Sequence, residues 1–347
     1  MDVVFQPYYH WKGHFKQYAD SLNRLDNELV TSESVLNFSG FISYVVLRFY
    51  LYILALNRLR KILKSSKVNN VFFVEIEPLA IFLFLPWLGK IPRAIFTIHA
   101  VRPTKYNARI KNNIAGLQRL LFFYVLRKLS KNTSVSFIVH SKVHKLELQN
   151  VIGDTAKVGV VEYPSPLPVH IPRNRKLGLG FVIFGAMRQD KGIFEFINHL
   201  IQHKDCLDGF KFYFLGKVYD ERIKDIKLID AIELKDCFIT EEQLRIYVAM
   251  SDYFLLPYAK NYTGGAGPLK DATSYGKPVF TSNIPLFREV ADGFGFSVVF
   301  DSIADFVSKA RNMTEEQYSK LESNSKRFSE TNNWNALRDN YESALLR

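Results

Sequence analysis

The chain alternates short, β-branched apolar runs with amphipathic segments of helical length. Such runs are typical of buried parallel strands, and the segments between them are long enough to form crossover helices. The first series predicts strands at residues 3–5, 71–74, 94–98, 136–139 and 158–161, and helices at residues 14–27, 41–63, 78–88, 113–129 and 142–151. In the fourth helix, apolar spacing assigns a stripe to the core: Leu117, Leu120, Leu121, Tyr124 and Val125. This pattern predicts a doubly wound α/β domain.

A proline-rich stretch interrupts the alternation at residues 162–172, where four prolines exclude a helix or a central strand. A second series of similar size then predicts strands at residues 180–185, 212–215, 231–234, 253–256, 278–281 and 297–300. The sequence therefore predicts an α/β protein with two doubly wound, Rossmann-like domains that face each other across a cleft. The predicted divisions are a first domain at 1–165, a linker at 166–175, a second domain at 176–330, and a C-terminal helix at 331–347 that packs back on the first domain.

The charge of the chain is distributed unevenly. The 347 residues contain 46 Lys and Arg against 34 Asp and Glu, a formal net charge of +12. Residues 1–165 hold 22 of these bases and 10 of these acids, which is the whole excess. The asymmetry predicts a polyanionic partner: an anionic membrane surface, a substrate with a pyrophosphate, or nucleic acid. Nucleic acid is not expected because no motif for it accompanies the charge, and a merely solubilising surface is the alternative.

Cysteine usage and the first residues indicate the compartment. The sequence has only Cys206 and Cys237, and its start lacks the basic and apolar regions of a signal peptide. A cytoplasmic protein without a disulfide framework is expected. The apolar stretches at 40–56 and 79–88 contain Arg48 and Pro86, whereas a membrane span needs about 20 largely uncharged residues. Any membrane contact is therefore expected to be peripheral, on the inner face, through the basic first half.

Two loops of the second half are candidate ligand-binding loops, because ligands of parallel sheets bind beyond the carboxyl ends of the strands. The loop at residues 185–192 holds Arg188 and Lys191 between a strand and a helix start, where two fixed cations suit a diphosphate. An ordinary loop with two exposed bases is the alternative. The loop at 262–267 is rich in glycine and precedes a helix that contains Asp271. Exposed amides with a nearby carboxylate suit a phosphate plus the hydroxyls of a ribose or a sugar.

Two loops of the first half are further candidates. The loop after the first strand surrounds a glycine with polar and aromatic residues that predict sugar or phosphate recognition; they are His10, Trp11, Lys12, Gly13 and His14. His99 and Arg102 follow the strand at 94–98, on the expected ligand side.

Three neighbouring features receive structural interpretations. Ser141 is expected to cap a helix after His140. Glu75 and Glu77 could share one side, but Pro78 follows and favours a helix entry. His140 and His144 are four residues apart but lack a nearby Glu or Cys partner, so no metal site and no cofactor is expected.

Taken in order, these loops and the proline-rich linker resemble those of GT-B glycosyltransferases, most closely the retaining group called family 4. The resemblance covers essentially the whole chain and is most specific at residues 185–192 and 253–279. It implies that residues 12–14 form the glycine loop that touches donor and acceptor, and that Arg188 and Lys191 bind the donor diphosphate. The backbone of Phe238 and Ile239 would hold the nucleobase.

One departure from the family pattern of two glutamates eight residues apart matters. Asp271 takes the place of the second and can accept ribose hydrogen bonds, whereas Thr263 takes the place of the first and has no carboxylate. Positioning of the donor sugar would then depend on the backbone of the loop or on another residue. The donor-binding set implied by the resemblance is Gly13, Arg188, Lys191, Phe238, Ile239, Thr263, Gly264, Gly265, Ala266, Gly267 and Asp271. The implied catalytic set is His99, Arg188 and Lys191, and the expected acceptor-binding set is His10, Trp11, Lys12, His14 and Arg102.

The resemblance implies a hexosyltransferase that moves a sugar from a UDP- or GDP-linked donor to a glycan or lipid-linked acceptor, with retention and without metal, in surface polysaccharide or glycoconjugate synthesis. Cations and amides would stabilise the charge that develops on the leaving phosphate. Two alternatives remain open: a non-catalytic GT-B subunit that binds a sugar nucleotide or a partner, which Thr263 favours, and an epimerase or hydrolase of sugar nucleotides.

Overall fold

The structure is a computed structural model that describes residues 1–11, 14–23, 27–32, 41–101, 109–169, 171, 178–262 and 267–346, with the side chains of residues 14, 41–45, 109–118 and 346 left out. The strands are β1 (Asp2–Phe5), β2 (Glu28–Val30), β3 (Asn70–Phe73), β4 (Ala94–Ile98), β5 (Val135–Val139), β6 (Lys157–Val160), β7 (Leu179–Phe184), β8 (Phe210–Leu215), β9 (Ile232–Lys235), β10 (Tyr253–Leu256), β11 (Val279–Ser282) and β12 (Ser297–Phe300). The α-helices are α1 (His14–Leu22), α2 (Phe41–Ser65), α3 (Pro78–Leu88), α4 (Arg109–Ser130), α5 (Lys142–Ile152), α6 (Ile193–Gln202), α7 (Glu241–Met250), α8 (Gly267–Ser274), α9 (Pro285–Phe294), α10 (Ile303–Arg311), α11 (Glu315–Thr331) and α12 (Leu337–Leu346).

The chain divides into two compact units, each built on a six-stranded parallel sheet. The first unit comprises Met1–Tyr163 and Trp334–Arg347, and the second comprises Pro164–Asn333. The predicted α/β class with two doubly wound sheets is confirmed. The predicted cap is confirmed as well, because the Ser141 hydroxyl accepts a hydrogen bond from the backbone N–H of His144 at the start of α5.

The first sheet has the order β2-β1-β3-β4-β5-β6, so the direction of winding reverses between β1 and β3. Its strands are buried, as the apolar runs predicted, and β4 and β5 are buried at every residue. The sequence prediction of a helix over residues 14–27 was wrong at its end. The helix stops at Leu22, and Glu28–Val30 forms a strand beside β1. A strand of three residues is too short to show a period of its own.

The end of the chain completes the core of the first unit. Trp334, Leu337 and Tyr341 are buried against α1 and the sheet in one apolar cluster. The Tyr341 hydroxyl lies 2.8 Å from that of Tyr18 in α1 and 2.9 Å from that of Thr97 in β4. Arg338 forms an ion pair with Asp2 in the first strand. Helix α12 is therefore an integral layer of the first unit.

The second sheet has the order β12-β11-β10-β7-β8-β9, with its reversal between β7 and β10. Its core contains an aromatic cluster centred on Phe181 of β7, whose ring lies 5.0 Å from those of Tyr253 and Phe306. The loop after β7 approaches the loop after β10 very closely. A Cβ on Gly192 would lie 2.6 Å from the carbonyl oxygen of Pro257, and its φ of +64° also favours glycine.

Among the described residues, no helix combines the length and the apolar character needed to cross a bilayer.

Candidate functional site

The second unit gathers its candidate residues at the carboxyl ends of β7 and β10, where the winding of the sheet reverses. Open α/β sheets bind ligands at this kind of position. The loop after β7 contributes Arg188 and Lys191, and the loop after β10 leads into α8, which carries Asp271. The structure thus brings together the three charged residues that the sequence placed in separate loops. Their roles stay predictions.

Lys191 is a buried cation. Its residue is only 8% exposed, and its ammonium nitrogen lies 5.5 Å from the centre of the Tyr258 ring. Burial, with help from the nearby positive charge of Arg188, lowers the pKa of Lys191 to about 8. Gly185 leaves space for this ammonium, because a Cβ there would lie 3.2 Å from Nζ and 3.5 Å from Pro268 at the start of α8. The ammonium therefore lies close to the first turn of α8.

Asp271 is the carboxylate counterpart on α8. Burial raises its pKa to about 7, although the positive charge of Lys191 opposes the shift. Within the described ranges, neither the Asp271 carboxylate nor the Lys191 ammonium forms an ion pair or a hydrogen bond with another side chain. The two groups thus influence each other electrostatically while both stay available to a third partner.

Arg188 differs from Lys191 because it already has a partner. Its Nε and one terminal nitrogen donate to the two carboxylate oxygens of Asp190 at 3.0 and 2.9 Å. The hydrogen bonds to Asp190 are the main reason why the pKa of Arg188 is raised. The guanidinium is half exposed and is held in one orientation by the two parallel bonds. Sequence reasoning missed Asp190, although a carboxylate two residues after the arginine was visible.

Tyr258 and Tyr262 form the aromatic wall of the site. Their rings are 4.6 Å apart and nearly perpendicular. The Tyr258 hydroxyl is buried without a hydrogen-bond partner among the described residues, which is costly for a polar group. Burial raises the pKa of Tyr258 well above its usual value, so this hydroxyl is a permanent donor. Apart from its position after β10, nothing in the sequence indicated that Tyr258 belongs to this site.

The structure describes only some of the remaining residues that were predicted to bind the donor. Thr263, Gly264, Gly265 and Ala266 lie outside the described residues, whereas Gly267 is the first residue of α8. The sequence paired Phe238 with Ile239 before α7. The Ile239 side chain is buried, while Phe238 is 87% exposed, the largest value among the large apolar residues described. Their side chains thus point to opposite environments.

The first unit has a second polar edge, where β3 and β4 end. Glu75 and Glu77 lie 3.8 and 3.6 Å from nitrogens of Arg48 in α2, so both carboxylates share one side, as their spacing indicated. Glu77 is also the residue that precedes α3. Burial raises the pKa of Glu77, and the charge of Arg48 opposes this. Arg48 was noted in the sequence only as an obstacle to a membrane span, and its role here comes from the fold.

His99 and His140 form a hydrogen-bonded pair at this edge. Nε2 of His99 lies 3.0 Å from the carbonyl oxygen of Val74, and Nδ1 of His140 lies 3.0 Å from that of Val161. Carbonyl oxygens only accept, so both of these nitrogens carry protons. The other two nitrogens are 3.0 Å apart, and this contact needs a proton between them. A proton in each of the three contacts gives the two rings three protons, one more than two neutral imidazoles, so we expect the pair to carry one positive charge.

Glu75 contacts two basic groups at this edge. Among the described residues, its carboxylate lies 3.6 Å from Nε2 of His99 and 3.8 Å from a nitrogen of Arg48. The Tyr18 hydroxyl lies 3.4 Å from Nε2 of His140, and the Tyr163 ring packs against His140. Both nitrogens of His99 are occupied. The pair therefore suits electrostatic stabilisation and hydrogen bonding better than proton abstraction by a neutral imidazole.

We expect NMR of the ¹⁵N-histidine-labelled protein to detect the shared proton directly. At about pH 7 the two rings should show three protonated nitrogens, and His140→Gln should return His99 to a neutral ring because the shared position is lost. His203, an exposed histidine that bonds its own helix, is the internal control. Two neutral rings with one protonated nitrogen each would contradict the proton count.

The acceptor-side loop after β1 is described in part. The Tyr8 and Trp11 rings stack 4.9 Å apart, and the Arg48 guanidinium lies 4.6 Å from the centre of the Tyr8 ring. His10 is exposed, and its ring contacts Tyr9. Lys12, Gly13 and Arg102, and the side chain of His14, lie outside the described residues. The structure therefore describes one half-buried aromatic ring, Trp11, which is backed by the buried Tyr8 ring, at this predicted site.

Comparison of the structure with solved structures identifies the fold. Sucrose-phosphate synthase from Thermosynechococcus elongatus aligns over 91% of this chain and 82% of its own, with a TM-score of 0.64 and 12% identity. HepE from Anabaena, solved with UDP, aligns over 100% of both chains, with a TM-score of 0.62 and 11% identity. The trehalose-phosphate synthase of Burkholderia vietnamiensis aligns over 90% of this chain and 78% of its own, with a TM-score of 0.58 and 12% identity.

No family model matches the sequence, and no curated protein matches it. At these identities the similarity to glycosyltransferase structures establishes the architecture alone. The two parallel sheets, each with its own winding reversal, agree with that comparison. The chain has the GT-B fold.

Proposed function

We propose that the protein is a glycosyltransferase that uses a nucleoside diphosphate sugar, with the donor bound by the second unit. The observation that carries the proposal is the pair of Lys191, which is buried, and Asp271, which is half-buried, at the winding reversal of the second sheet; neither has a side-chain hydrogen-bond or ion-pair partner among the described residues. A buried ammonium next to a helix start suits a diphosphate, and a carboxylate one turn into that helix suits ribose hydroxyls. The HepE structures in complex with UDP and with UDP-glucose favour a uridine donor.

The proposed chemistry follows from charge development. Cleavage of the bond between sugar and phosphate places negative charge on the leaving diphosphate, and preoriented cations stabilise it. Lys191 and Arg188 would supply these cations without metal, and Asp190 would hold Arg188 in place. We propose transfer with retention, as in the family 4 group that the sequence resembles.

The acceptor is proposed to bind to the first unit. The half-buried Trp11 ring, which stacks on the buried Tyr8, suits the apolar face of a sugar, and the polar edge of Glu75 and Glu77 suits its hydroxyls. The net positive charge of this half favours a lipid-linked acceptor at an anionic membrane surface, in the synthesis of surface polysaccharide or glycoconjugates. Peripheral attachment on the cytoplasmic side fits this proposal.

The test is a panel of UDP- and GDP-sugars, first for binding and then for release of nucleoside diphosphate with glycan and lipid-linked acceptors. Thermal shift measures binding, since a ligand of the folded state raises the melting temperature. Binding with acceptor-dependent release supports the transferase. Binding without release under any acceptor favours the non-catalytic subunit that Thr263 suggests, and conversion of the donor alone favours an epimerase or a hydrolase. Absence of binding to every nucleotide contradicts the proposal.

The affinity for UDP should depend on pH through Lys191. Because its pKa in the ligand-free protein is about 8, the ammonium is present below that pH, and binding above it requires uptake of one proton. The association constant should therefore fall about tenfold per pH unit above pH 8. Isothermal titration calorimetry in buffers of different ionisation enthalpy measures both the constant and the proton uptake. Lys191→Arg stays charged across this range and should flatten the curve; a flat curve for the unmodified protein would disprove the linkage.

A further inference from the structure

Exposed apolar side chains are concentrated on three helices of the first unit. Of the fifteen large apolar residues that are exposed in the described part of the chain, eight belong to α2, α3 and α4. They are Val46, Tyr50, Leu54, Leu79, Phe82, Leu83, Leu120 and Tyr124. Exposed apolar residues scattered singly are normal, whereas a cluster marks an interaction surface.

These residues lie on three neighbouring helices, and we call them together the α2–α4 face. Val46, Tyr50 and Leu54 are spaced by four residues along one side of α2. Helix α3 packs against both α2 and α4, and the rings of Phe82 in α3 and Tyr124 in α4 are 5.8 Å apart. The sequence assigned Leu120 and Tyr124 to the core, and this was wrong, because Leu120 is 66% exposed and Tyr124 is also exposed. Val125 of the same stripe is buried, so the apolar stripe is wider than the core contact it makes.

The charge of the same helices is entirely positive. Helices α2, α3 and α4 contain no Asp or Glu, and residues 78–146 contain 12 Lys and Arg without a single acid. Exposed bases border the face at or beyond the helix ends: Lys61, Lys64, Lys90, Lys128 and Lys131. The helix dipole explains bases near C-termini, but it equally favours acids in first turns, and these three helices have none there. Acids are therefore lacking inside these helices, and Glu77, which directly precedes α3, is engaged with Arg48 of α2 at 3.6 Å.

We propose that the α2–α4 face docks on an anionic lipid bilayer, with its apolar side chains in the interfacial layer and the bordering bases among the lipid phosphates. Aromatic and aliphatic residues with a basic border are the chemistry that such a surface binds. A second copy of the chain fits less well, because paired faces would bring bases against bases without a carboxylate between them. The attraction of each base near an anionic leaflet is additive and is screened by salt.

The assignment rests on the proposed membrane location of the acceptor. Its test uses no sugar nucleotide, so its failure would leave donor binding and transfer untouched. The full chain is sedimented with vesicles of phosphatidylcholine, with and without phosphatidylglycerol, at low and high salt. We expect binding only with phosphatidylglycerol, and a reduction of roughly tenfold for Leu83→Asp, which places a carboxylate in the interfacial layer.

A matched control separates the face from general surface hydrophobicity. Ile246 on α7 of the second unit is 57% exposed, against 56% for Leu83, so Ile246→Asp should leave vesicle binding unchanged. Equal losses for both variants, or equal binding to neutral vesicles, would overturn the assignment. Analytical ultracentrifugation without lipid tests whether a second copy of the chain occupies the α2–α4 face instead. A dimer that Leu83→Asp converts to a monomer, together with unchanged vesicle binding of that variant, would also overturn the assignment. Both side chains are exposed, so both variants are expected to fold.

Discussion

Replacing Lys191 with methionine should raise the free energy of unfolding and at the same time remove most of the affinity for UDP. The lowered pKa of Lys191 means that the folded protein holds this ammonium at a cost. Methionine fills similar space without a charge, so we expect a gain of about 2 kcal/mol at neutral pH. Loss of a charge-assisted contact to phosphate should weaken UDP binding about tenfold to a hundredfold.

The pH dependence of this gain has a definite sign. A lysine whose pKa is lower in the folded state destabilises the protein fully below about pH 8, and the penalty disappears as pH rises towards the ordinary value of 10.5. The gain of Lys191→Met should shrink over that window. Urea unfolding at several pH values measures the stability, and calorimetry measures the affinity. Lys320→Met removes an exposed lysine on α11 and should change neither. A variant that loses stability together with affinity would show that Lys191 is a structural residue.

Deletion of residues 334–347 should unfold the first unit and leave the second unit folded. The deletion removes Trp334, Leu337 and Tyr341 from the core and the ion pair of Arg338 with Asp2. Burial of each large apolar side chain contributes about 1.5–3 kcal/mol, so the loss is comparable to the whole stability of a domain. The second unit keeps all of Pro164–Asn333 and its Phe181 cluster.

Hydrogen exchange read by mass spectrometry distinguishes the two units. Peptides from β1, β3, β4 and β5 should lose protection, whereas those from β7, β8 and β10 should keep it, together with UDP binding. Tyr341→Ala is the milder version and should cost about 3–5 kcal/mol in the first unit alone. Ser343→Ala changes an exposed position of the same helix and should be neutral. Equal loss of protection in both units would mean that they do not fold separately.

The strands were largely predictable because each buried parallel strand is a continuous apolar run. Tyr253–Leu256 and Ala94–Ile98 have the predicted bounds, whereas Glu28–Val30 was missed because three residues carry no period. The proximity of Arg188, Lys191 and Asp271 was predictable too, since strand ends are readable from sequence, whereas their roles stay predictions. The electrostatic energies of these residues were not predictable from the sequence. The pKa values of Lys191 and Asp271 depend on burial that the loops of two different strands create together.

The His99–His140 pair illustrates a contact that required the strand register. Ile98 pairs with Val139 across β4 and β5, and each histidine is the next residue, so the two rings meet. Two neighbouring strands that both end in histidine were a usable signal, but each residue was interpreted alone. Arg48 gave no signal of this kind, because its approach to Glu75 and Glu77 depends on how a long helix packs.

The order of connection has a consequence for synthesis on the ribosome. The chain leaves the first unit after Tyr163 and returns to it at Trp334, so the half that is translated first is completed last. The second unit is contiguous and can fold as soon as its final strand and helices emerge. Until α12 follows, Tyr18 and Ile138 lack the apolar layer that covers them in the finished protein. The nascent first half therefore needs protection from aggregation while the whole second unit is translated, and chaperone demand should peak before α12 emerges.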